Sequence, residues 1–215
     1  VSAFSADVSI KGIIRLLQLP DKVFGRKVET DDMEAFGIDS SGQGIIYLSE
    51  SLTRVFEQKP DKLKMQVISN QVSGSDGFGL DFPAFISFYK NLVDVSRGTL
   101  SKRGFVSPIA DNALRFYKYK FLGSFWENGK QVNSIQVIPR RDYEPVFSGI
   151  INITENDWRI FSCKLLLTQT SQLQVLDSLE ITQIHAHQYK DIWRVKSQVI
   201  HFHINQLGVA AEGDF

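Results

Sequence analysis

The sequence predicts an α+β fold in which a strongly curved antiparallel sheet is partly covered by one main helix. Apolar and polar residues alternate from Ala113 to Leu207, which is the pattern of strands with one buried face. Within this stretch, Asn128-Gly129 separates two alternating runs and is a strong signal for a type I′ hairpin. Apolar residues recur at helical spacing over Phe82–Val95, which is the predicted helix.

The composition fits a single domain that needs no disulfide. The chain has 215 residues, of which 43% are hydrophobic, so it can bury a sizeable core. Basic and acidic residues number 24 each, and the formal net charge is zero. A zero balance lacks the positive field that nucleic-acid binders and anionic-membrane binders use. We therefore predict one domain over residues 1–215 that does not bind nucleic acid.

The first third of the chain is predicted to be made of strands separated by turns. Pro20 ends the first strand, Ser40–Gly44 and Lys59–Lys62 have turn composition, and Gly12 is a weak point inside the first strand. The predicted strands are Ala3–Leu17, Val23–Val28, Gly44–Ser49, Leu52–Glu57 and Lys64–Val72.

The predicted main helix has a suitable start and an apolar face. Asp81 is a plausible N-cap, and Pro83 lies in the first turn, where proline is tolerated. The apolar face consists of Phe82, Phe85, Ile86, Tyr89, Leu92 and Val93. Two interpretations stay open: the helix covers the open face of a sheet, or it forms a wall of a cavity for an apolar ligand.

The second half of the chain is predicted to be an antiparallel meander that follows a short helix from Ile109 to Leu114. Ser107-Pro108 provides the start signal for that helix. The predicted strands of the meander are Phe116–Trp126, Gln131–Ile138, Val146–Thr154, Trp158–Thr168, Leu173–Ile184 and Ile192–Leu207.

Two histidine pairs, His185-x-His187 and His201-x-His203, are the candidate metal ligands. Side chains two residues apart share a face of a strand, so two neighbouring pairs could hold zinc. A turn near Lys190-Asp191 would, however, offset the pairs by about 23 Å along the strands. Because zinc ligands must lie about 2 Å from one ion, we predict no metal site.

Catalytic chemistry is not evident in the sequence. The single cysteine, Cys163, shares its strand parity with apolar residues and fits a small buried side chain. Asp177 has apolar neighbours of the same parity, which fits either a buried structural carboxylate or an acid of perturbed pKa. The patterns GxSxG and HExxH do not occur. We therefore predict that the protein is not an enzyme and uses no cofactor.

Basic and aromatic residues alternate around the start of the meander, as they do in some RNA-binding sheets. With a net charge of zero, we interpret the basic residues as the solvated face of the strands. These residues are Arg115, Lys118, Lys120, Arg140 and Arg141.

Several motifs along the chain, taken together and in order, resemble those of a family of cell-envelope proteins from Bacteroidota. The motifs are Phe4–Gly12, Ile46–Ser51, Gln58–Pro60, Val72–Gly74, Arg103–Ala113, Ile138–Arg141, Pro145–Gly149 and Trp158–Ile160. Members of that family are described as carboxypeptidase-like regulatory-domain proteins of unknown function. The resemblance covers nearly the whole chain.

The resemblance implies a location and neighbouring domains. In that family, a signal peptide and a small β-sandwich precede the matching region, and an outer-membrane β-barrel follows it. The chain is thus expected to be a periplasmic, outer-membrane-associated domain excised from a longer protein, with those flanking domains as its partners. The carboxypeptidase description belongs to the sandwich and implies no peptidase activity here.

The order of elements is also similar to the half-open barrel of periplasmic lipoprotein carriers, with a helix on the concave side of the sheet. Our main hypothesis is a non-enzymatic structural or interaction domain. The alternative is carrier-like binding of an apolar ligand, such as an acyl chain or a lipoprotein anchor, in the concave face; lipid or lipoprotein would then be a further partner. The candidate lining residues are Phe85, Tyr89, Tyr117, Tyr119, Phe121 and Trp158.

Overall fold

The computed structural model of the protein describes residues 3–20, 22–23, 26–27, 37–58, 62–74, 82, 85–96, 100–189, 192–206 and 208–215. The chain divides into two compact units. Unit 1 consists of Val1–Gly79 and Ile204–Phe215, and unit 2 consists of Leu80–His203.

Strands make up 66% of the described residues, and helical turns make up 3%. In chain order the strands are β1 (Ala3–Gln18), β2 (Lys22–Val23), β3 (Arg26–Lys27), β4 (Gly44–Gln58), β5 (Lys62–Gly74), β6 (Leu92–Val93), β7 (Phe105–Val106), β8 (Tyr117–Glu127), β9 (Lys130–Pro139), β10 (Ser148–Thr154), β11 (Ile160–Thr168), β12 (Ser178–Tyr189), β13 (Ile192–Gln206) and β14 (Val209–Asp214).

The predicted α+β class is wrong, because the described residues form a mainly β protein with extensive antiparallel pairing. Helical structure in the described part of the chain is limited to two 3-10 turns, Ala113–Arg115 and Gln169–Ser171. The prediction of a half-open barrel with one main helix on its concave side is therefore wrong, because no such helix is present among the described residues. No described helix is long and apolar enough to cross a membrane.

The described part of the predicted helix is not helical: the chain turns at residues 88–91 and forms the short strand β6 at Leu92–Val93. We call residues 85–96 the strap. Ile86 and Phe88 are buried, whereas Phe85, Ser87 and Tyr89 are exposed. This alternation has the period of two that an extended chain shows, not the 3.6 of a helix. The apolar spacing of the segment fits both periods, and the predicted helical period is wrong. The predicted cap Asp81 and Pro83 lie outside the described residues.

Two glutamine side chains hold the strap in unit 2. Gln183 Nε2 donates to the carbonyl oxygen of Ile86 at 2.7 Å, and the amide of Ile86 donates to Gln198 Oε1 at 3.0 Å. Gln183 Nε2 also donates to Gln198 Oε1 at 2.7 Å. The backbone of a buried residue needs hydrogen-bond partners, and here side chains supply them in place of a neighbouring strand.

The meander predicted for the second half of the chain is confirmed. In unit 2 the strand order is β13-β12-β11-β10-β9-β8, so that each strand lies beside its neighbour in sequence. The hairpin between β8 and β9 turns at Asn128 and Gly129, which have φ angles of 48° and 75°. Strand β12 begins later than predicted, because Gln172 and Val175 have positive φ and hold that segment in turns.

Aromatic residues of unit 2 fill the space between the sheet and the segments that cover it. The Phe88 ring meets the Phe147 ring edge-on at 5.4 Å, and the Phe105 ring lies 5.8 Å from the Phe147 ring. Strands β6 and β7 pair with each other and bury Val93 and Phe105. The covered face of this sheet is thus a packed core.

Unit 1 contains the antiparallel order β5-β4-β1-β14. The two predicted strands Gly44–Ser49 and Leu52–Glu57 are one continuous strand, β4, because β1 is long enough to pair with it throughout. Ion pairs link neighbouring strands on one face. Arg54 binds Asp7 through two hydrogen bonds of 2.7 and 2.8 Å, and Lys11 Nζ lies 3.1 Å from Glu50 Oε1.

Gly12 in β1 makes room for an aromatic ring. A Cβ atom on Gly12 would lie 2.5 Å from Cε1 of Phe215 and 2.7 Å from Oγ of Ser49. The Phe215 ring also lies 6.1 Å from the ring of Tyr47. The glycine predicted to be a weak point of the strand is therefore the place where this ring packs.

Replacing Gln183 by leucine tests how the strap is held. The Gln183→Leu substitution removes the donor to Ile86 and leaves a buried carbonyl group unpaired, so we expect the free energy of unfolding to fall by about 1–3 kcal/mol. Urea unfolding followed by tryptophan fluorescence measures this change. The control is Gln66→Leu on exposed β5, for which we expect a change below about 0.5 kcal/mol. Equal effects of the two substitutions would contradict the role of Gln183.

Candidate functional site

Strand β8 is an edge of the unit 2 sheet, with β9 as its hydrogen-bonded neighbour in the described part of the chain. The amide of Arg140 donates to the carbonyl oxygen of Phe116 at 2.8 Å, just before β8 begins. Phe116 is thus a position that is hydrogen-bonded to the neighbouring chain. In an antiparallel pair, hydrogen-bonded and non-hydrogen-bonded positions alternate along the strand. Tyr119 and Phe121 occupy the non-bonded positions, so their N–H and C=O groups point away from β9.

The side chains of β8 divide into an aromatic face and a basic face. Tyr119, Phe121 and Trp126 share one face, because their partners on β9 are spaced by two and four residues. Phe121 is 64% exposed and Trp126 is 72% exposed. Lys118 and Lys120 lie on the other face and are also exposed. We call this surface, residues 118–126, the β8 edge.

The start of β8 is fixed by buried hydroxyl groups. The hydroxyl of Tyr117 donates to the carbonyl oxygen of Val106 at 2.5 Å and accepts from the amide of Phe147 at 3.1 Å. Burial raises the pKa of the Tyr117 phenol, so this group stays protonated and can donate. The hydroxyl of Tyr119 donates to the carbonyl oxygen of Pro108 at 2.7 Å. The β8 edge is thus held rigidly at one end.

The tip of the β8–β9 hairpin is fixed by charged groups. Lys130 Nζ lies 2.6 Å from Asp157 Oδ2, and Arg159 Nε lies 3.7 Å from the same oxygen. The hydrogen bond from Lys130 lowers the pKa of the Asp157 carboxyl group. The amide of Glu155 donates to the carbonyl oxygen of Gln131 at 2.8 Å. The exposed Trp126 therefore sits beside an ordered turn.

An aromatic row joins strands of unit 2 that are not neighbours in the sheet. The ring of Phe125 on β8 lies 6.2 Å from that of Phe161 on β11, and Phe161 lies 6.4 Å from Trp193 on β13. Trp193 Nε1 donates to the carbonyl oxygen of Ile160 at 2.7 Å. At this end the sheet of unit 2 is curved strongly enough to bring β8 to β11.

The six residues predicted to line an apolar ligand site lie in three places. Phe85 and Tyr89 are on the strap; Tyr117, Tyr119 and Phe121 are on β8; and Trp158 is in the turn before β11. The structure brings together Tyr117 and Tyr119, whose rings are 6.1 Å apart. Tyr89 reaches the start of β11, two residues after Trp158, since its hydroxyl accepts from the amide of Ile160 at 3.0 Å. Ligand contact by these residues stays a prediction.

Sequence reasoning missed the exposed edge as a surface. Lys118 and Lys120 were interpreted only as a solvated face, and Leu122 and Trp126 were not singled out. The available signal was the run from Tyr117 to Trp126, in which apolar residues occupy both strand parities. A strand with one buried face carries them on one parity only.

The two histidine pairs lie on opposite faces of the sheet. His201 is opposite Glu180, and His185 is opposite Val195. Residues 180 and 185 of β12 differ by an odd number, so their side chains point to opposite faces. No cluster of three or more potential metal ligands occurs within the described ranges.

The two candidate catalytic groups, Asp177 and Cys163, have surroundings that fit a structural role. Asp177 Oδ1 accepts from Gln169 Nε2 at 2.5 Å, and its Oδ2 lies 4.0 Å from His203 Nδ1. Cys163 is buried, and burial raises the pKa of its thiol to about 12. A thiol of this basicity carries almost no thiolate at neutral pH and is a poor nucleophile.

Unit 1 contains an open groove at the end of β1, β4 and β5. Its volume is about 600 Å³, within the range of small-molecule clefts. Two phenylalanines supply apolar surface, and two lysines stand at the groove; Lys64 Nζ lies 5.9 Å from the ring centre of Phe56. The lining residues are Ala3, Phe4, Ser5, Phe56, Gln58, Lys62 and Lys64.

Comparison with known proteins gives a family and one structural likeness. The model of the family DUF5686, described as a family of unknown function, matches residues 1–215. No curated protein matches the chain. A solved structure from Vibrio parahaemolyticus, described as a proposed outer membrane lipoprotein-sorting protein domain, is 12% identical; the alignment covers 97% of this chain and 82% of that chain, with a TM-score of 0.31. A TM-score at that level carries no further conclusion.

The stability of the protein should depend on pH through His185. This side chain is 5% exposed, its Nδ1 has no partner in the described part of the chain, and the ring of Tyr89 packs edge-on at 6.4 Å. Burial lowers the pKa of His185 from 6.5 to about 4. Protons then bind the unfolded chain first, so stability falls as pH drops below about 6.5, by up to about 3 kcal/mol near pH 4.

Urea unfolding at pH 7.5 and at pH 4 measures this loss. We expect His185→Phe to remove about one proton from the difference in proton uptake between the folded and unfolded states, and thus to flatten the pH dependence. The control is Ile184→Val on the exposed side of the same strand, which should keep the pH dependence of the native chain. An unchanged slope in His185→Phe would contradict the assignment.

Proposed function

The chain belongs to the DUF5686 family of unknown function, and we propose that it is a non-enzymatic interaction domain that docks a partner protein along the β8 edge. The observation that carries the proposal is the exposure of Phe121 and Trp126 on a strand whose outer edge has no strand beside it among the described residues. Exposed apolar patches that are rimmed by polar groups are typical of interaction sites. Lys118 and Lys120 supply the polar groups on the opposite face of the same strand.

Packing in unit 2 favours docking at the edge over binding within the sheet. The face that a carrier would use for an acyl chain is occupied by Phe88, Phe105 and Phe147. Tryptophan and other aromatic residues contribute most to many protein interfaces, because they bury a large area at little entropic cost. The ordered hairpin tip holds Trp126 in place before a partner arrives, which reduces that cost further.

We place the domain in the periplasm, associated with the outer membrane, next to a β-sandwich domain and an outer-membrane barrel of the same protein. This part of the proposal rests on the resemblance of the sequence motifs. An interaction domain at this position would connect its own flanking domains or recruit a separate envelope protein.

Photocrosslinking tests the proposed docking surface. Benzoylphenylalanine replaces Phe121 in the full-length protein, and cells are irradiated before the adducts are identified by mass spectrometry. We expect a defined protein adduct whose yield is at least about tenfold above that obtained from position 199, since contact residues cluster at a docking surface. Val199 is the matched control because it is a strand residue of unit 2 that is 48% exposed.

The identified partner is then purified and its binding is measured. Phe121→Ser should weaken the affinity about tenfold, and Val199→Ser should leave it unchanged. The same adducts from both positions, or none from position 121, would rule out the β8 edge as a docking surface.

A second candidate function is binding of an apolar ligand in the unit 1 groove, which the groove's size and its two phenylalanines favour. The ligand chemistry would be an apolar chain with an anionic end near Lys62 and Lys64. Dansyl-undecanoic acid is a suitable probe, with saturable fluorescence enhancement as the readout. We expect Phe56→Asp to weaken binding about tenfold and Phe85→Asp, on the strap, to have no effect. Non-saturable binding, or equal loss in both variants, would exclude the groove.

A further inference from the structure

We infer that the partner at the β8 edge is an extended segment of another protein that adds a strand to the sheet and alternates acidic with apolar residues. This inference rests on the proposed function and names the kind of partner that the surface fits. The backbone of β8 determines the mode of binding. The side chains on its two faces determine which side chains the partner must carry.

The mode of binding follows from backbone groups of β8 that have no partner strand in the described part of the chain. The N–H and C=O groups of Tyr119 and Phe121 point away from β9, at the spacing that an added strand requires. Extended peptides bind in this way to exposed sheet edges, with the main chain giving affinity and alternate side chains giving specificity. The bulge between Phe121 and Gly123 ends the regular stretch, so the added strand is short.

The side chains of β8 set the chemistry of the partner. Residues directly opposite on an antiparallel pair share a face, and opposite charges there attract while like charges repel. Lys118 and Lys120 face neutral partners, Ile138 and Gln136, on β9. On their free side they favour carboxylates spaced by two residues. Tyr119 and Phe121, on the other face, favour apolar side chains at the positions between those carboxylates.

The same lysines act against pairing of β8 with a second copy of itself. Lysines on an edge strand are a common protection against edge-to-edge association. A β8–β8 pair brings lysines of both copies onto one narrow ribbon, where their charges repel. An acidic strand turns this repulsion into attraction. The occupant favoured by charge is therefore a different, acidic segment.

Peptide binding tests the inference directly. The probes are three labelled ten-residue peptides: one alternates glutamate with valine, one alternates lysine with valine, and one is the first peptide with N-methyl groups on alternate amides. Anisotropy is measured at low salt with the purified chain. We expect the glutamate peptide to bind about tenfold more tightly than either of the other two, because charge pairing and backbone bonding are both required.

Charge reversal on the protein locates the site. In the double variant Lys118→Glu, Lys120→Glu, we expect the preference to invert, so that the lysine peptide binds about tenfold more tightly than the glutamate peptide. The control is the double variant Lys102→Glu, Lys196→Glu, which makes the same charge change at two exposed lysines of unit 2 that lie outside β8. That variant should keep the preference of the native chain. Circular dichroism and urea unfolding establish that both variants are folded.

Several results would overturn the inference. Binding that tolerates N-methylation shows that no strand is added, and a loss confined to the control variant moves the site away from β8. A concentration-dependent dimer that is abolished by Phe121→Ser identifies a second copy as the occupant. If all three peptides fail while crosslinking at position 121 persists, the docking surface stands and strand addition is wrong.

Discussion

Coverage of the apolar face of the β8–β13 meander is the constraint on which unit 2 depends. Leu165, Leu179 and Ile181 on this face are fully buried, and without a cover they would be exposed to water. The cover is the strap, whose own backbone must also find hydrogen bonds away from water. Gln183 and Gln198 provide these bonds for Ile86, so that polar and apolar requirements are met at one place.

Covering the face leaves the edge free. The strap lies against the face of the sheet, where glutamine side chains bond to Ile86 and β6 pairs with β7, so it does not extend the strand order beyond β8. The edge strand then carries features that both limit and direct association: two lysines, a bulge after Phe121 and exposed aromatic rings. Lysines and bulges discourage pairing with identical edges, whereas the rings favour contact with a complementary surface.

The sequence was sufficient for the strand order of the meander and insufficient for the strap. Alternation and the Asn128-Gly129 signal identified the meander and its first turn, because those patterns reflect local geometry. Residues 85–96 fit two periods equally well, and the choice between them depends on Gln183 and Gln198, which are far away in sequence. The β8 edge was only partly visible in the sequence. Apolar residues on both strand parities were a signal in β8 itself, whereas its place at the end of the sheet is a property of the topology.

The glutamine contacts of the strap also bear on the order of folding. They join residues separated by 97 and 112 positions in the chain, whereas the strands of the meander pair with their immediate neighbours. Closing such a long loop is entropically costly until both glutamines have been aligned by the β12–β13 pair. We therefore expect the meander to form first and the strap to dock late, leaving an intermediate whose uncovered sheet face is open to chaperones. The slow step of folding would then be the burial of Ile86 and Phe88.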